Sequence, residues 1–307
     1  MKLMIQNYSS EETTEPLYIN ECVNRVDGSS STIWGDKSVS AYDMFDTVKP
    51  DLLLTHYTLL SNDIVKYLSS SDIELVINIT GAEQGHVDTL EEIISTNGIK
   101  CPLIFTNKPQ GLNQIIQRKT KLVSIMHAAD PFLKIQKIES PEYSLDAGFF
   151  CNYPPDSKIK EIAKNYATHH YLSTINHLVK DVDICIPLVH LHGLYGSYGK
   201  NIISSGDVGL PQQFFDSILY GNETFFHCRK DSHEDKMRKA LGSLSPDKSL
   251  LYRDGERPNF NKVRDNVIAK HTAVSRTQRL FGRLSNSSLV DSLHKVAEEI
   301  SNDYSST

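Results

Sequence analysis

Residues 209–221, Gly-Leu-Pro-Gln-Gln-Phe-Phe-Asp-Ser-Ile-Leu-Tyr-Gly, combine a helix start with an acid inside an apolar stretch. Pro211 fixes the backbone for a first helical turn, and Gly221 ends the helix. The free N–H groups at Gly209, Leu210, Gln212 and Gln213, with the positive end of the helix dipole, suit a phosphate or diphosphate. One to two turns further in, Asp216 could accept hydrogen bonds from the hydroxyl pair of a ribose or a sugar. It reads equally as an acid on the solvated edge of the helix, or as a partner of Arg229. Just upstream, His190–Lys200 is rich in glycine. Gly193 and Gly196 allow close approach to a phosphate, Lys200 supplies charge, and Tyr195, Ser197 and Tyr198 lie between them. The alternative for this stretch is a glycine-rich surface loop. It is neither a P-loop nor a GxGxxG turn.

Other reactive-looking residues point away from chemistry. His169, His170 and His177 fall on one stretch expected to be helical, with no carboxylate at a ligand spacing. Asp181-Val182-Asp183 enters an apolar strand and reads as a connection, so no metal site is expected. There is no Gly-x-Ser-x-Gly elbow, and Phe226-His227-Cys228-Arg229 reads as the end of a strand.

Short apolar runs alternating with amphipathic stretches must position these residues. Strands are expected at Met1–Gln6, Ser31–Trp34, Asp51–His56, Glu74–Thr80, Cys101–Thr106 and Lys121–His127. Helices are expected near Pro16–Val26, Asn62–Leu68, Val87–Thr96 and Leu112–Arg118. This alternation predicts a parallel sheet covered on both faces. After a break near Ser140–Ser144 a second set follows: strands at Ala147–Cys151, Asp183–Val189, Asn201–Ser204 and Thr224–His227, with helices at Lys158–Leu178, 209–221 and Ser232–Leu241. Proline is absent from Asn259–Leu284, and apolar residues recur at Phe260, Val267, Val274 and Phe281. One amphipathic helix of roughly 39 Å is expected there, then a second over Ser288–Ile300.

The 307 residues are 39% hydrophobic and 23% charged, enough for two ordinary folded domains. A net charge of −6 argues against a general nucleic-acid binder, though not against a local basic cleft. No run approaches the ~20 apolar residues that span a bilayer. The N-terminus turns polar too early for a signal peptide and reads as a first strand. Cys22, Cys101, Cys151, Cys185 and Cys228 are scattered without CxxC spacing, which suits reduced thiols and a cytoplasmic location.

Phe215-Asp216-Ser217-Ile218-Leu219-Tyr220-Gly221 resembles the F-E-A-x-A-x-G segment in the donor domain of many GT-B glycosyltransferases. Lys270-His271-Thr272-Ala273-Val274-Ser275-Arg276 resembles the H-T-x-x-x-R stretch in the C-terminal helix of transferases that build bacterial surface polysaccharides. Asp stands here for the usual Glu, and Ser-Ile-Leu-Tyr for the usual small residues. The resemblance implies an α/β fold of two Rossmann-like domains, with long C-terminal helices crossing back to the first. Residues 1–142 would be the acceptor domain, 143–258 the donor domain and 259–307 the crossover helices.

It further implies a metal-independent enzyme without a cofactor, moving a sugar from an activated donor to a glycan or glycoconjugate. Peripheral association with a membrane fits such an acceptor. The donor would occupy 193–200 and 209–216, and the base would come from the first domain. Glu83, in the glycine-flanked loop after Glu74–Thr80, is the first candidate; Asp130 is the second, followed by His56 and His86. Two other readings remain open: a non-enzymatic two-lobed protein binding a sugar or nucleotide, and a transferase using a phosphoribosyl diphosphate-type donor.

Overall fold

A computed structural model describes residues 1–8, 14–35, 38–107, 121–125, 127–132, 147–151, 169–172, 184–185, 194–205, 212–228, 260–284 and 286–305. The fold is α/β, and the chain divides into two compact units. One holds Met1–Ser9, Thr14–Met126 and Ala273–Thr307; the other holds His127–Thr272 together with Ser10–Thr13. The expected domain break at Ser140–Ser144 and the expected helices at Leu112–Arg118 and Ser232–Leu241 lie outside the described residues, as does Asp181-Val182-Asp183.

In the first unit six strands form an all-parallel sheet: β1 (Lys2–Gln6), β2 (Ser30–Trp34), β3 (Leu52–His56), β4 (Glu74–Asn78), β5 (Leu103–Thr106) and β6 (Lys121–Ser124). Their order is β2-β1-β3-β4-β5-β6. Leu3-Met4-Ile5, Leu52-Leu53-Leu54, Leu75-Val76-Ile77 and Leu103-Ile104-Phe105 are all buried. Such unbroken apolar runs are what a sheet covered on both faces requires.

Helices α1 (Glu15–Asn24), α2 (Ala41–Val48), α3 (Asn62–Ser69) and α4 (Gln84–Thr96) join these strands. The element absent from the sequence reading is α2. Ser40 caps it by accepting the Asp43 N–H at 3.1 Å, and Phe45 buries against the sheet. Two faults in expectation are informative. Helix α4 starts three residues earlier than its apolar pattern, which makes Glu83 its N-cap and draws Gly85 inside. The single helix expected over Asn259–Leu284 is broken into α6 (Phe260–Lys270) and α7 (Ala273–Arg283), followed by α8 (Ser287–Ser305). Apolar periodicity runs straight through the break, since Val263, Val267, Val274 and Phe281 are all buried. The interruption is tertiary: Thr272 forms a parallel bridge with Ala129, and the His271 carbonyl accepts the Ala129 N–H at 2.9 Å.

The second unit carries a parallel sheet of β7 (Ala147–Cys151), β8 (His169–Leu172), β9 (Ile184–Cys185), β10 (Lys200–Ser205) and β11 (Glu223–Cys228), ordered β11-β10-β7-β8-β9. Helix α5 (Gln212–Tyr220) connects β10 to β11. His169 and His170 lie on β8, not on the helix expected across 158–178. Strand pairing with β7 and β9 overrides the local helical pattern. Gly221 closes α5 where space is tight: a Cβ there would come within 2.5 Å of the Asn201 side-chain nitrogen and 2.8 Å of the Tyr195 carbonyl.

Candidate functional site

In open parallel sheets, ligands bind beyond the carboxyl ends of the strands, where the strand order reverses. In the first unit that point lies between β1 and β3. Apolar strands end there in polar residues: Gln6, Thr55-His56, Asn78 and Thr106-Asn107. Thr55 donates to the Gln6 side-chain carbonyl at 2.6 Å.

At the centre is a residue the sequence reading passed over. Glu15, at the start of α1, is buried and gathers four donors. Tyr8 Oη reaches Oε1 at 2.5 Å, Asn78 Nδ2 reaches Oε1 at 2.8 Å, Asn107 Nδ2 reaches Oε2 at 2.9 Å and Tyr18 Oη reaches Oε2 at 3.4 Å. Burial raises the Glu15 carboxyl above the usual carboxylate range, against the pull of these donors. Tyr8 is pushed well up, by burial and then by the Glu15 charge. The traces in the sequence were slight: a Thr-Glu-Pro helix start, and an amide closing each of two apolar runs.

A row of rings lies along the same edge. Tyr8 and His56 are 5.7 Å apart by centroid, His56 and Tyr57 4.7 Å, Tyr57 and His86 5.5 Å. His56 Nε2 is 3.0 Å from the Thr80 carbonyl, which can only accept, so that nitrogen carries the proton. Nδ1 then accepts from the Thr58 hydroxyl at 2.7 Å. Burial lowers the His56 pKa, and the ring is neutral at pH 7. Glu83 is exposed at the N-terminus of α4, and its own N–H donates to His86 Nδ1 at 3.2 Å. Burial pushes the Cys101 thiol up to about 12, which leaves it inert as a nucleophile.

In the second unit the strand order reverses between β7 and β10. The first described turn of α5, following the carboxyl end of β10, therefore stands at the place where such sheets take ligands. Gln212 and Gln213 are both buried, and neither amide atom of Gln213 has a hydrogen-bond partner among the described residues. Gly193, Gly209, Leu210 and Pro211 lie outside the described residues.

The rest of the glycine-rich stretch is not brought to this helix start. Lys200 opens β10, at the opposite edge of the sheet. Tyr195, Gly196, Ser197 and Tyr198 form the turn before it. Asn201 donates to the Tyr195 carbonyl at 3.0 Å, and Asn222, just past α5, donates to the Tyr198 carbonyl at 2.5 Å. The turn thus sits at the C-terminal end of a nine-residue helix, about 13 Å from its start. Tyr195 and Tyr198 are core residues, edge-on to Phe150 at 4.9 and 6.1 Å. Glycine spacing reads alike in a loop leaving a strand and in one entering it; only topology separates them.

Asp130 and Asp216, expected in different roles, meet. Asp216 is 0% exposed, and its Oδ1 accepts the Asp130 N–H at 2.8 Å. Tyr220, one turn further along α5, donates to the Asp130 carbonyl. The Asp130 carboxylate accepts the Phe132 N–H at 3.0 Å in a tight turn. Asp130 is buried, with its backbone held on both sides, and a buried turn residue is poorly placed to take a proton from an acceptor. Arg276, from the H-T-x-x-x-R stretch, is buried in the first unit; burial lowers its guanidinium to about 9, so it stays charged at pH 7. Among the described residues no three His, Cys, Asp or Glu side chains gather to hold a metal, and no helix is long and apolar enough to cross a membrane.

No family model matches the sequence, and no curated protein is similar to it. Solved structures with a similar trace include the glycosyltransferase SsfS6 of Streptomyces sp. SF2575, at 10% identity and TM-score 0.43, over 98% of this chain and 96% of that one. The glycotransferase of kitacinnamycin aligns at 10% identity and TM-score 0.45, over 98% of both chains. Spinosyn rhamnosyltransferase SpnG, solved with thymidine diphosphate, aligns at 11% identity and TM-score 0.42, over 98% and 96%. At these scores the site is read from its own residues.

Proposed function

We propose that the chain is a metal-independent glycosyltransferase of the GT-B kind, with the donor held by the second unit and the acceptor by the first. The observation that carries this reading is the position of α5. Its first turn follows the carboxyl end of β10 at the reversal of strand order, where the positive end of the helix dipole favours a diphosphate. Gln213 adds a buried amide with hydrogen-bonding capacity left over. The resemblance of 215–221 to the donor domain of GT-B glycosyltransferases supports glycosyl transfer, and that of 270–276 to the surface-polysaccharide transferases supports a glycan or glycoconjugate acceptor and a cytoplasmic enzyme working near a membrane.

In the reaction an acceptor hydroxyl attacks the anomeric carbon of the donor. The bond from that carbon to the diphosphate oxygen breaks, and the leaving charge rests on the amides of the α5 start. Glu83 takes the hydroxyl proton. It is the exposed carboxylate at the carboxyl end of β4, and transfer to a positioned base is worth about 10²–10⁴-fold.

A thermal-shift screen tests this with UDP, GDP, TDP, ADP, CMP and phosphoribosyl diphosphate, with and without Mg²⁺. A nucleotide at 100 times its Kd adds about 2.7 kcal/mol, a rise of several degrees. One nucleoside diphosphate acting without metal is the expected result. Silence across the panel with a response to free sugars overturns the reading in favour of a binding protein, and a response to phosphoribosyl diphosphate alone replaces the donor class. Glu83→Gln should lower transfer at least 100-fold and leave nucleotide affinity unchanged; a fully active variant removes Glu83 as base.

A further inference from the structure

Helix α5 holds a second structure besides its first turn. Two of the points at which the chain passes between the units are Met126/His127 and Thr272/Ala273. On the second unit's side these two segments lie together: Ala129 bridges Thr272 and donates its N–H to the His271 carbonyl at 2.9 Å. Residues 215–220 of α5 grip both. Phe215 stacks on the His271 ring at 5.5 Å and 21°. Asp216 accepts the Asp130 N–H, and Tyr220, four residues on and on the same helix face, donates to the Asp130 carbonyl. A carboxylate is the strong acceptor for a buried backbone N–H, which explains an acid at a fully buried position.

We infer that Asp216, Phe215 and Tyr220 are positioning residues, which fix both connecting segments to the helix whose first turn receives the donor. Asp216 acts through Asp130 and makes no contact with the donor. Because α5 is a single short helix, a ligand that settles its first turn also settles the clamp one turn later. The clamp stands on the second unit alone; its link to the donor rests on the glycosyl-transfer reading.

The test is hydrogen exchange of the 127–132 amides in the full chain, with and without the nucleoside diphosphate that raises the melt, alongside nucleotide affinity. Variants are Asp216→Ala, Asp216→Asn and Tyr220→Phe. In the wild type the Asp130 amide exchanges slowly, and nucleotide slows it further. Asp216→Ala should speed it at least 10-fold and abolish the response to nucleotide, with affinity within twofold of wild type. Tyr220→Phe should abolish that response too, and Asp216→Asn, which keeps an acceptor oxygen, should restore it.

A 10-fold loss of nucleotide affinity in Asp216→Ala, with Tyr220→Phe silent, makes Asp216 a direct donor contact and overturns the inference. If no nucleotide binds the wild type, the transferase reading fails by itself. Exchange without ligand then decides the clamp: an Asp130 amide equally fast in wild type and Asp216→Ala overturns it, and the 10-fold difference upholds it.

Discussion

The carboxyl edges of the two sheets use polar side chains in opposite ways. On the first, Glu15 accepts from Tyr8, Tyr18, Asn78 and Asn107, of which Asn107 keeps its Oδ1 without a partner among the described residues, and His56 ties β3 to the loop after β4. On the second, the start of α5 holds Gln213 buried with neither amide atom partnered among the described residues. A network joined through one carboxylate holds its elements in place, because removing that carboxylate strands several buried groups. An open amide lowers stability slightly and has something left to offer a ligand. The two edges differ in degree: one carboxylate joins four side chains on the first, whereas neither amide atom of Gln213 is engaged among the described residues.

The largest effect should come from cutting the Glu15 network. Glu15→Ala strands Tyr8, Asn78 and Asn107 and should destabilise the protein by about 3 kcal/mol, roughly 6–12 °C in the melting midpoint. Nucleotide affinity should stay put. A midpoint within 1–2 °C of wild type, to order of magnitude, would mean the network contributes little, and the contrast would fall.

Gln213→Ala should do the reverse. Stability should change by less than about 1 kcal/mol, and nucleotide affinity should drop about 10-fold, the worth of one good hydrogen bond. Equal affinity in the variant would show that the open amide belongs to packing. Calorimetric titration beside a denaturant melt separates the two outcomes.

The smallest effect is a pH slope. Burial lowers the His56 pKa below its unfolded value of 6.5. The unfolded chain therefore takes up the proton first, and stability falls as pH drops from about 6.5 through the folded value. Glu15 has the opposite sign: its raised folded pKa makes its contribution fullest below the unfolded value of 4.5 and diminishing as pH climbs through the raised one. Melts between pH 5.5 and 7.5 should show the His56 slope, and His56→Phe should flatten it. An unchanged slope would assign it to other groups.

Part of this was readable in advance. The runs over Asp51–His56, Glu74–Thr80 and Ala147–Cys151 announced β3, β4 and β7, because strands buried on both faces need unbroken apolar sequence. Ser40 with Asp43 three residues on was a legible cap signal for α2, a helix of only eight residues. Glu15 was hard to see, because three of its four partners come from β4, from beyond β5 and from the loop after β1, and only Tyr18 shares its helix. His169 and His170 misled through a helical local pattern that sheet pairing overrode.

By itself, the sequence determined the α/β alternation and the stop of α5 at Gly221. These depend on local periodicity and glycine. Tertiary structure decided where each loop lies relative to its sheet. It sent the glycine-rich 195–198 turn to the far end of α5, broke the helix at His271-Thr272 and brought Asp216 onto the backbone of Asp130. Those outcomes depend on strand order and long-range hydrogen bonds. A residue's type states what it can bond, and only the fold supplies the partner.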